Sequence, residues 1–294
     1  MLAVIPFFGP VKFTIPVLDF ELHGFGFMVA LGLFLGSEMA MQKARRDGLD
    51  PDIINRVVTW MIVGIFVGGH LGFAFMYEPE RIAEEGLIYL LKFWDGLSSF
   101  GGFFMTSLLC MLFFYKENQR VRKANVLRKE QGEKLLFPVR ILHYGDCVIF
   151  GFPMAFGFGR IGCFMAHDHP GIESDFPLAV AGICESAWGN VAKSCHDLGL
   201  YEAIWACSLI PLVHLIDKSK ARFPGFFLAL IPFYYGPVRF FLDGLRTHDR
   251  RISGFTPGQY GAMVLFFVGL AVFLKQRNQT PVRVLTEKSD AVAY

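Results

Sequence analysis

The six cysteines, Cys110, Cys147, Cys163, Cys184, Cys195 and Cys207, include no C-x-x-C pair and no zinc-finger spacing, which argues against a structural zinc fold or a dithiol redox motif. Charge is scarce as well: 18% of residues are charged, against about 25% in an ordinary soluble domain. No sign dominates, and a net charge of +2 is too small for a nucleic-acid surface, so no nucleic-acid partner is expected. An internal repeat of the transporter kind is missing. Residues 1–13 lack the basic-then-apolar layout of a cleavable signal peptide, so insertion is expected to rely on the first span itself. Cys110, Cys147, Cys163 and Cys207 fall in or at the ends of apolar runs, where a free thiol behaves as a small hydrophobe. Cys184 and Cys195 share one long loop, and their pairing stays open at this level.

What is abundant is apolar length. The chain is 53% hydrophobic with 33 phenylalanines and a mean hydropathy of +0.43. Several runs reach the ~20 residues that cross a bilayer. Apolar windows predict helices near 24–42, 55–76, 98–115, 141–165, 200–216, 224–245 and 257–274, an all-α membrane protein of about seven transmembrane helices. Residues 1–275 form one polytopic domain in this reading, and 276–294 a polar, disordered cytoplasmic tail. Lys and Arg gather in alternate connections: Lys43, Arg45, Arg46 and Arg56; the 116–140 run; Lys218, Lys220 and Arg222; and the tail. The second connection is acidic instead, with Glu78, Glu80, Glu84 and Glu85. The positive-inside rule then places the N-terminus outside and the C-terminus in the cytoplasm.

Charges inside apolar segments mark function, because membrane depth makes them costly. Arg160 ends a span and opens the stretch to Gly171, which contains His167, Asp168 and His169. Arg239, Asp243 and Arg246 are spaced i, i+4, i+7 and share one helix face. His196 and Asp197 precede Tyr201 and Glu202 at the start of the fifth span, and Trp94, a residue type suited to an interfacial anchor, precedes the third. All these segments fall on the outer side in the orientation above. Arginines suit phosphate through bidentate contacts, so the gathering points to chemistry on a phospholipid. The bland reading is that Arg239 and Arg246 merely pair with Asp243 and that Arg160 caps helix carbonyls. His167-Asp168-His169 has the residue types of a metal cluster, but i, i+2 histidines without a further ligand set do not make a zinc site, and no metal is expected. His23 and His70 read as buried, hydrogen-bonded residues at least as readily as catalytic ones.

Over roughly 20–275 the ordered motifs resemble the bacterial prolipoprotein diacylglyceryl transferases. They are Gly68-Gly69-His70-Leu71-Gly72 with Tyr77, Trp94-Asp95-Gly96 with Gly101-Gly102, Asp146, Gly159-Arg160-x-Gly162-x-Phe164 ending at Gly171, His196 with Leu200-Tyr201-Glu202, Arg239-x-x-x-Asp243-x-x-Arg246, and Gly258-Gln259. The resemblance implies a seven-helix enzyme of the bacterial cytoplasmic (inner) membrane, with a cavity open to the outer leaflet. It also implies transfer of the diacylglyceryl group of phosphatidylglycerol to the lipobox cysteine of a prolipoprotein, without cofactor or metal. Arg160, Arg239, Arg246, Asp243, Tyr201 and Gly171 are then expected to hold phosphatidylglycerol, and His167, Asp168, His169, His196 and Glu202 to serve catalysis.

The chain departs from the family pattern at the base. The first-span tyrosine is Phe25, the histidine before the double glycine is Phe100, the asparagine after Arg-x-Gly is Cys163, and Asn-Gly-Glu is replaced by Ala166-His167-Asp168. His167 or His169, oriented by Asp168, is expected to take over proton transfer. Two other readings compete: a same-fold transferase using another lipid or acceptor, and a non-catalytic lipid-binding homologue.

Overall fold

The computed structural model describes residues 5–9, 11–15, 20–93, 95–184, 194–247 and 251–284. Its elements are β1 (Lys12–Ile15), β2 (Phe20–His23), α1 (Gly24–Arg46), α2 (Pro51–Met76), α3 (Pro79–Glu85), a 3-10 turn (Gly86–Leu91), α4 (Ser99–Glu130), α5 (Ile141–Ala166), β3 (Pro170–Glu173), β4 (Ala179–Ala181), β5 (Ser194–Asp197), α6 (Leu198–Ser219), α7 (Phe226–Gly244) and α8 (Pro257–Gln276). Six of these, α1, α2, α5, α6, α7 and α8, are long and apolar enough to cross a membrane. They match six of the seven expected windows, and the molecule is a multi-pass membrane protein. The remaining window, 98–115, is the first half of α4, a 32-residue helix. Its apolar run ends at Lys116, and its length falls within the ~17–25 residues of a span. The fold is mostly helical, as expected, and the described residues add five short strands, two before α1 and three between α5 and α6.

The chain divides into two compact units, one of residues 1–40 and 149–281 and the other of 41–148 and 282–294. In the first unit, Met39, Phe150, Val213, Phe227 and Ile231 form the buried core. Helices α1 and α5 approach closely at Gly36 and Gly151: a Cβ on Gly151 would overlap the Gly36 carbonyl. Small residues at such crossings let backbones pack where lipid supplies no hydrophobic drive. Pro232 and Pro237 lie inside α7 and Pro153 inside α5, as membrane helices tolerate when neighbours re-satisfy the freed carbonyls. The strands run β3-β5-β4, antiparallel, with Pro170 opposite Asp197 and Ala179 opposite His196. A disulfide joins Cys184 to Cys195, with Cα atoms 5.7 Å apart, so the pairing left open by the sequence is made.

In the second unit α2 packs on α4 through a stripe of glycines four residues apart. Gly64 faces Thr106, Gly68 faces Met105, and Gly72 faces Gly101. A Cβ on Gly101 would meet the Gly68 carbonyl and Gly72 Cα. Gly101→Val is therefore expected to cost about 1–3 kcal/mol or more through overpacking, read as a lower unfolding temperature in detergent. His70 is fully buried; its Nε2 lies 3.1 Å from the Tyr89 carbonyl and its Nδ1 3.3 Å from that of Gly96. That is the bland role foreseen for it: it ties the 3-10 turn and the following loop to α2. Asp146 is buried in this unit. Val282 is buried too, and Arg283 pairs with Asp47 at 3.1 Å, so part of the tail expected to be disordered is ordered. Residues 285–294 and Trp94 lie outside the described residues.

Candidate active site

The first unit brings together three of the expected segments: the end of α5, the start of α6, and the face of α7 carrying Arg239. Glu202, in the first turn of α6, is fully buried and meets three partners. Arg160 Nε lies 2.6 Å from its Oε2; Arg239 Nη1 and the Tyr235 hydroxyl each donate to Oε1 at 2.7 Å. Arg239 Nη2 reaches Asp243 Oδ1 at 2.9 Å, and Arg246 Nε reaches the same oxygen at 3.3 Å. Thr256 donates its hydroxyl to the other Asp243 oxygen. The result is an alternating chain, Arg160–Glu202–Arg239–Asp243–Arg246. Three guanidiniums thus gather around the two buried carboxylates of Glu202 and Asp243.

Local structure sets this geometry. Tyr235, Arg239 and Asp243 recur every four residues and so line one face of α7. Helix α8 begins with a capping box between Thr256 and Gln259, which satisfies its first amides and fixes the Thr256 hydroxyl beside Asp243. Gly258 follows because a Cβ there would collide with the Asp243 carboxylate. Removing one partner from a buried ionic chain leaves an uncompensated charge, so the chain is built to persist. The bland pairing of Arg239 and Arg246 with Asp243 is present, but it is one part of a larger network. Glu202, expected to act in catalysis, has both oxygens engaged and holds the arginines in place.

The histidines separate into three environments. His167, at φ 50° in the left-handed region, turns the chain out of α5. Its Nδ1 lies 2.8 Å from Asp197 Oδ2 and its Nε2 3.2 Å from the Phe8 carbonyl. The rings of Phe7, Phe8 and Phe164 surround it. Both nitrogens are occupied, and Asp168 is not its partner, so the expected Asp168-oriented His167 is corrected to a structural latch. Asp197 also accepts from the Leu200 amide at 3.1 Å as the N-cap of α6, and burial pushes its carboxyl above the usual range. Asp168 instead lies against His169, 2.7 Å from Oδ1 to Nδ1.

His196 stands apart from this latch. Its Nδ1 is 2.7 Å from the Tyr201 hydroxyl, and burial depresses its pKa below the ordinary 6.5. It is therefore neutral near pH 7, with Nε2 left for another partner. Gly171 packs against His196 while the Ile172 amide donates to the Leu245 carbonyl at 2.9 Å. Gly171 thus positions β3 against the end of α7. Phe25, in place of the family tyrosine, is largely exposed, and so is His23, against the buried reading of it. The side chain of Phe100 lies outside the described residues.

Sequence reasoning missed Tyr235, Thr256 and Asp197. Tyr235 carried a usable signal, four residues before Arg239 on the same face. Asp197 and Thr256 carried only N-cap positions, which do not report long-range partners.

The profile of the family described as "Prolipoprotein diacylglyceryl transferase" matches residues 10–275. Among similar proteins is the phosphatidylglycerol–prolipoprotein diacylglyceryl transferase of Chromohalobacter salexigens, 26% identical over 266 residues, covering 88% of this chain and 90% of that one. The protein of that name from Cereibacter sphaeroides is 26% identical over 307 residues, covering 94% and 99%. The one from Staphylococcus carnosus is 24% identical over 282 residues, covering 94% of each. A profile matched from the first strand to the last helix, through all the residues of the buried arginine chain, places this chain in the prolipoprotein diacylglyceryl transferase family.

Proposed function

We propose that this enzyme transfers the diacylglyceryl group of phosphatidylglycerol to the lipobox cysteine thiol of a prolipoprotein in the bacterial inner membrane. The carrying observation is the convergence of three guanidiniums, those of Arg160, Arg239 and Arg246, around the buried carboxylates of Glu202 and Asp243. The acceptor sulfur attacks the glyceryl C3, the C3–O bond to phosphate breaks, and glycerol phosphate leaves with the electron pair. Negative charge grows on that leaving phosphate, where preorganised guanidiniums stabilise the transition state more than the ground state. In this reading α4 is the third span and the N-terminus lies outside, so the buried arginine network faces the outer leaflet. Tyr201, Gly171, Glu202 and Asp243 position the groups around the lipid headgroup.

The thiol must lose its proton for this attack. His196, neutral and with Nε2 free of partners among the described residues, is the proton acceptor in this reading. His196→Gln is expected to slow transfer by about 100-fold or more. A base must be unprotonated, and burial lowers the His196 pKa, so the wild-type rate falls only below the ordinary imidazole range, whereas the variant loses that acid limb. A pH–rate profile unchanged in the variant removes His196 from the chemistry. The reaction itself is tested with labelled phosphatidylglycerol and a lipobox peptide: a thioether-linked diacylglyceryl peptide is expected. Lipid cleavage without peptide labelling would point to another acceptor, and binding without cleavage to a non-catalytic homologue.

A further inference from the structure

Beside Arg160 lies a second cluster that the arginine chain does not use. Cys163 on the last turns of α5, Asp168 and His169 each present one donor atom, and the three atoms all lie within 4.8 Å of one another. His169 Nδ1 sits 2.7 Å from Asp168 Oδ1, and among the described residues this buried nitrogen makes no hydrogen bond. The two atoms are in ion-pair contact, and sharing one zinc would draw them apart to about 3.3 Å, the separation of tetrahedral ligands at ~2.0–2.1 Å. The sequence lacked a further ligand beside the 167–169 histidines; the fold supplies it as Cys163.

We propose that Cys163, Asp168 and His169 bind one borderline-soft divalent cation, zinc fitting best, with the fourth coordination position open. A sulfur, a nitrogen and an oxygen suit zinc, and three protein ligands with one open position are the pattern of a catalytic rather than a structural site. A thiolate and a carboxylate neutralise the dication. The surroundings support the ligands as outer partners do in metal sites. Arg160 Nη1 donates to Cys163 Sγ at 3.6 Å. The His169 carbonyl accepts the Leu198 amide at 3.1 Å. The His167 latch on Asp197 and Phe8 holds the left-handed turn that returns Asp168 and His169 toward α5. His167 itself has both nitrogens engaged and is not a ligand.

The role follows if the acceptor is a thiol, and to that extent it rests on the function proposed above. A thiol entering the open position gives up its S–H proton, since coordination to a cation deprotonates it. The proton passes to the base or to water, and the sulfur keeps the electron pair that forms the C–S bond. Such a site makes up for the family tyrosine and histidine replaced here by Phe25 and Phe100, and it is built at two of the positions, 163 and 168, where this chain departs from the family.

The test uses the full-length protein in detergent, purified without chelator, with metal content measured by mass spectrometry. Chelator-stripped protein is then titrated with Co2+. About one equivalent of zinc and a cobalt–thiolate charge-transfer band are expected for the wild type. Both are expected to fall at least ~10-fold in Cys163→Ser and His169→Ala. Asp168→Asn, at an exposed position that folding does not need, is expected to weaken Co2+ binding by a similar factor. Less than a tenth of an equivalent in the wild type with no cobalt–thiolate band overturns the site, as does unchanged binding in Cys163→Ser and Asp168→Asn. Diacylglyceryl transfer is followed on the same samples. Metal bound at one equivalent without transfer upholds the site and sinks the transferase reading, while full transfer by protein that binds no metal does the reverse.

Discussion

Arg239→Lys, which keeps the charge, is expected to lower the initial rate of diacylglyceryl transfer by about 100-fold or more, nearly as far as Arg239→Ala. Arg239 uses two different nitrogens, Nη1 on Glu202 and Nη2 on Asp243, and the planar fork holds both at once. A lysine ammonium is a single point charge on a flexible stem and cannot span the two carboxylates. One of them would be left short of a partner, and the remaining arginines would shift toward it and away from the leaving phosphate. Losing one preorganised donor at developing charge typically costs about 2.7–4 kcal/mol in the barrier, or about 10²–10³ in rate. The measurement is the initial rate with labelled phosphatidylglycerol and lipobox peptide, at saturating and limiting lipid. An Arg239→Lys enzyme within a few-fold of wild type would mean that charge alone suffices and that the fork geometry is incidental.

Glu202→Ala is expected to damage the fold itself. Glu202 is buried with Arg160, Arg239 and the Tyr235 hydroxyl converging on it, so it joins α5, α6 and α7. Removing it leaves two guanidiniums close together with no carboxylate between them. Breaking a buried ionic network from one side costs about 3–5 kcal/mol, a large share of the total stability of most proteins. The expected outcome is a marked drop in the unfolding temperature in detergent, with much of the protein lost as aggregate during purification. Glu202→Gln keeps an acceptor for Tyr235 and the shape of the side chain, so its loss should be smaller. A Glu202→Ala protein as heat-stable as wild type would show that the apolar core, and not this carboxylate, holds the three helices in register.

The two variants separate roles that the geometry combines. Arg239 touches the lipid phosphate in the proposed reaction, so Arg239→Lys moves rate more than stability. Glu202 touches only protein, so Glu202→Ala moves stability first and rate as a consequence. The reverse ranking would exchange their assignments.

Much of this protein is determined by local sequence. Six spans were legible because crossing a bilayer needs a continuous apolar length, which is a one-dimensional property. The face shared by Arg239, Asp243 and Arg246 was legible because helical periodicity is local. The third window was misjudged in extent, since its apolar run passes without a break signal into the charged second half of α4. The short strands were missed because they are three or four residues long and stand between spans rather than in an alternating run.

Only the tertiary structure decided who partners whom. Glu202 is 37 residues from Arg239 and 42 from Arg160, and nothing local selects it over other carboxylates as the hub between them; helix packing does. His167 pairs with Asp197, 30 residues away, rather than with its neighbour Asp168, because the left-handed turn points its ring at β5. Cys163 looked like a small apolar residue until the same turn brought Asp168 and His169 to its sulfur. Composition and periodicity determine which groups must leave water and which face they take. Their partners depend on the close approach of distant segments, and that is set by how the helices and strands pack.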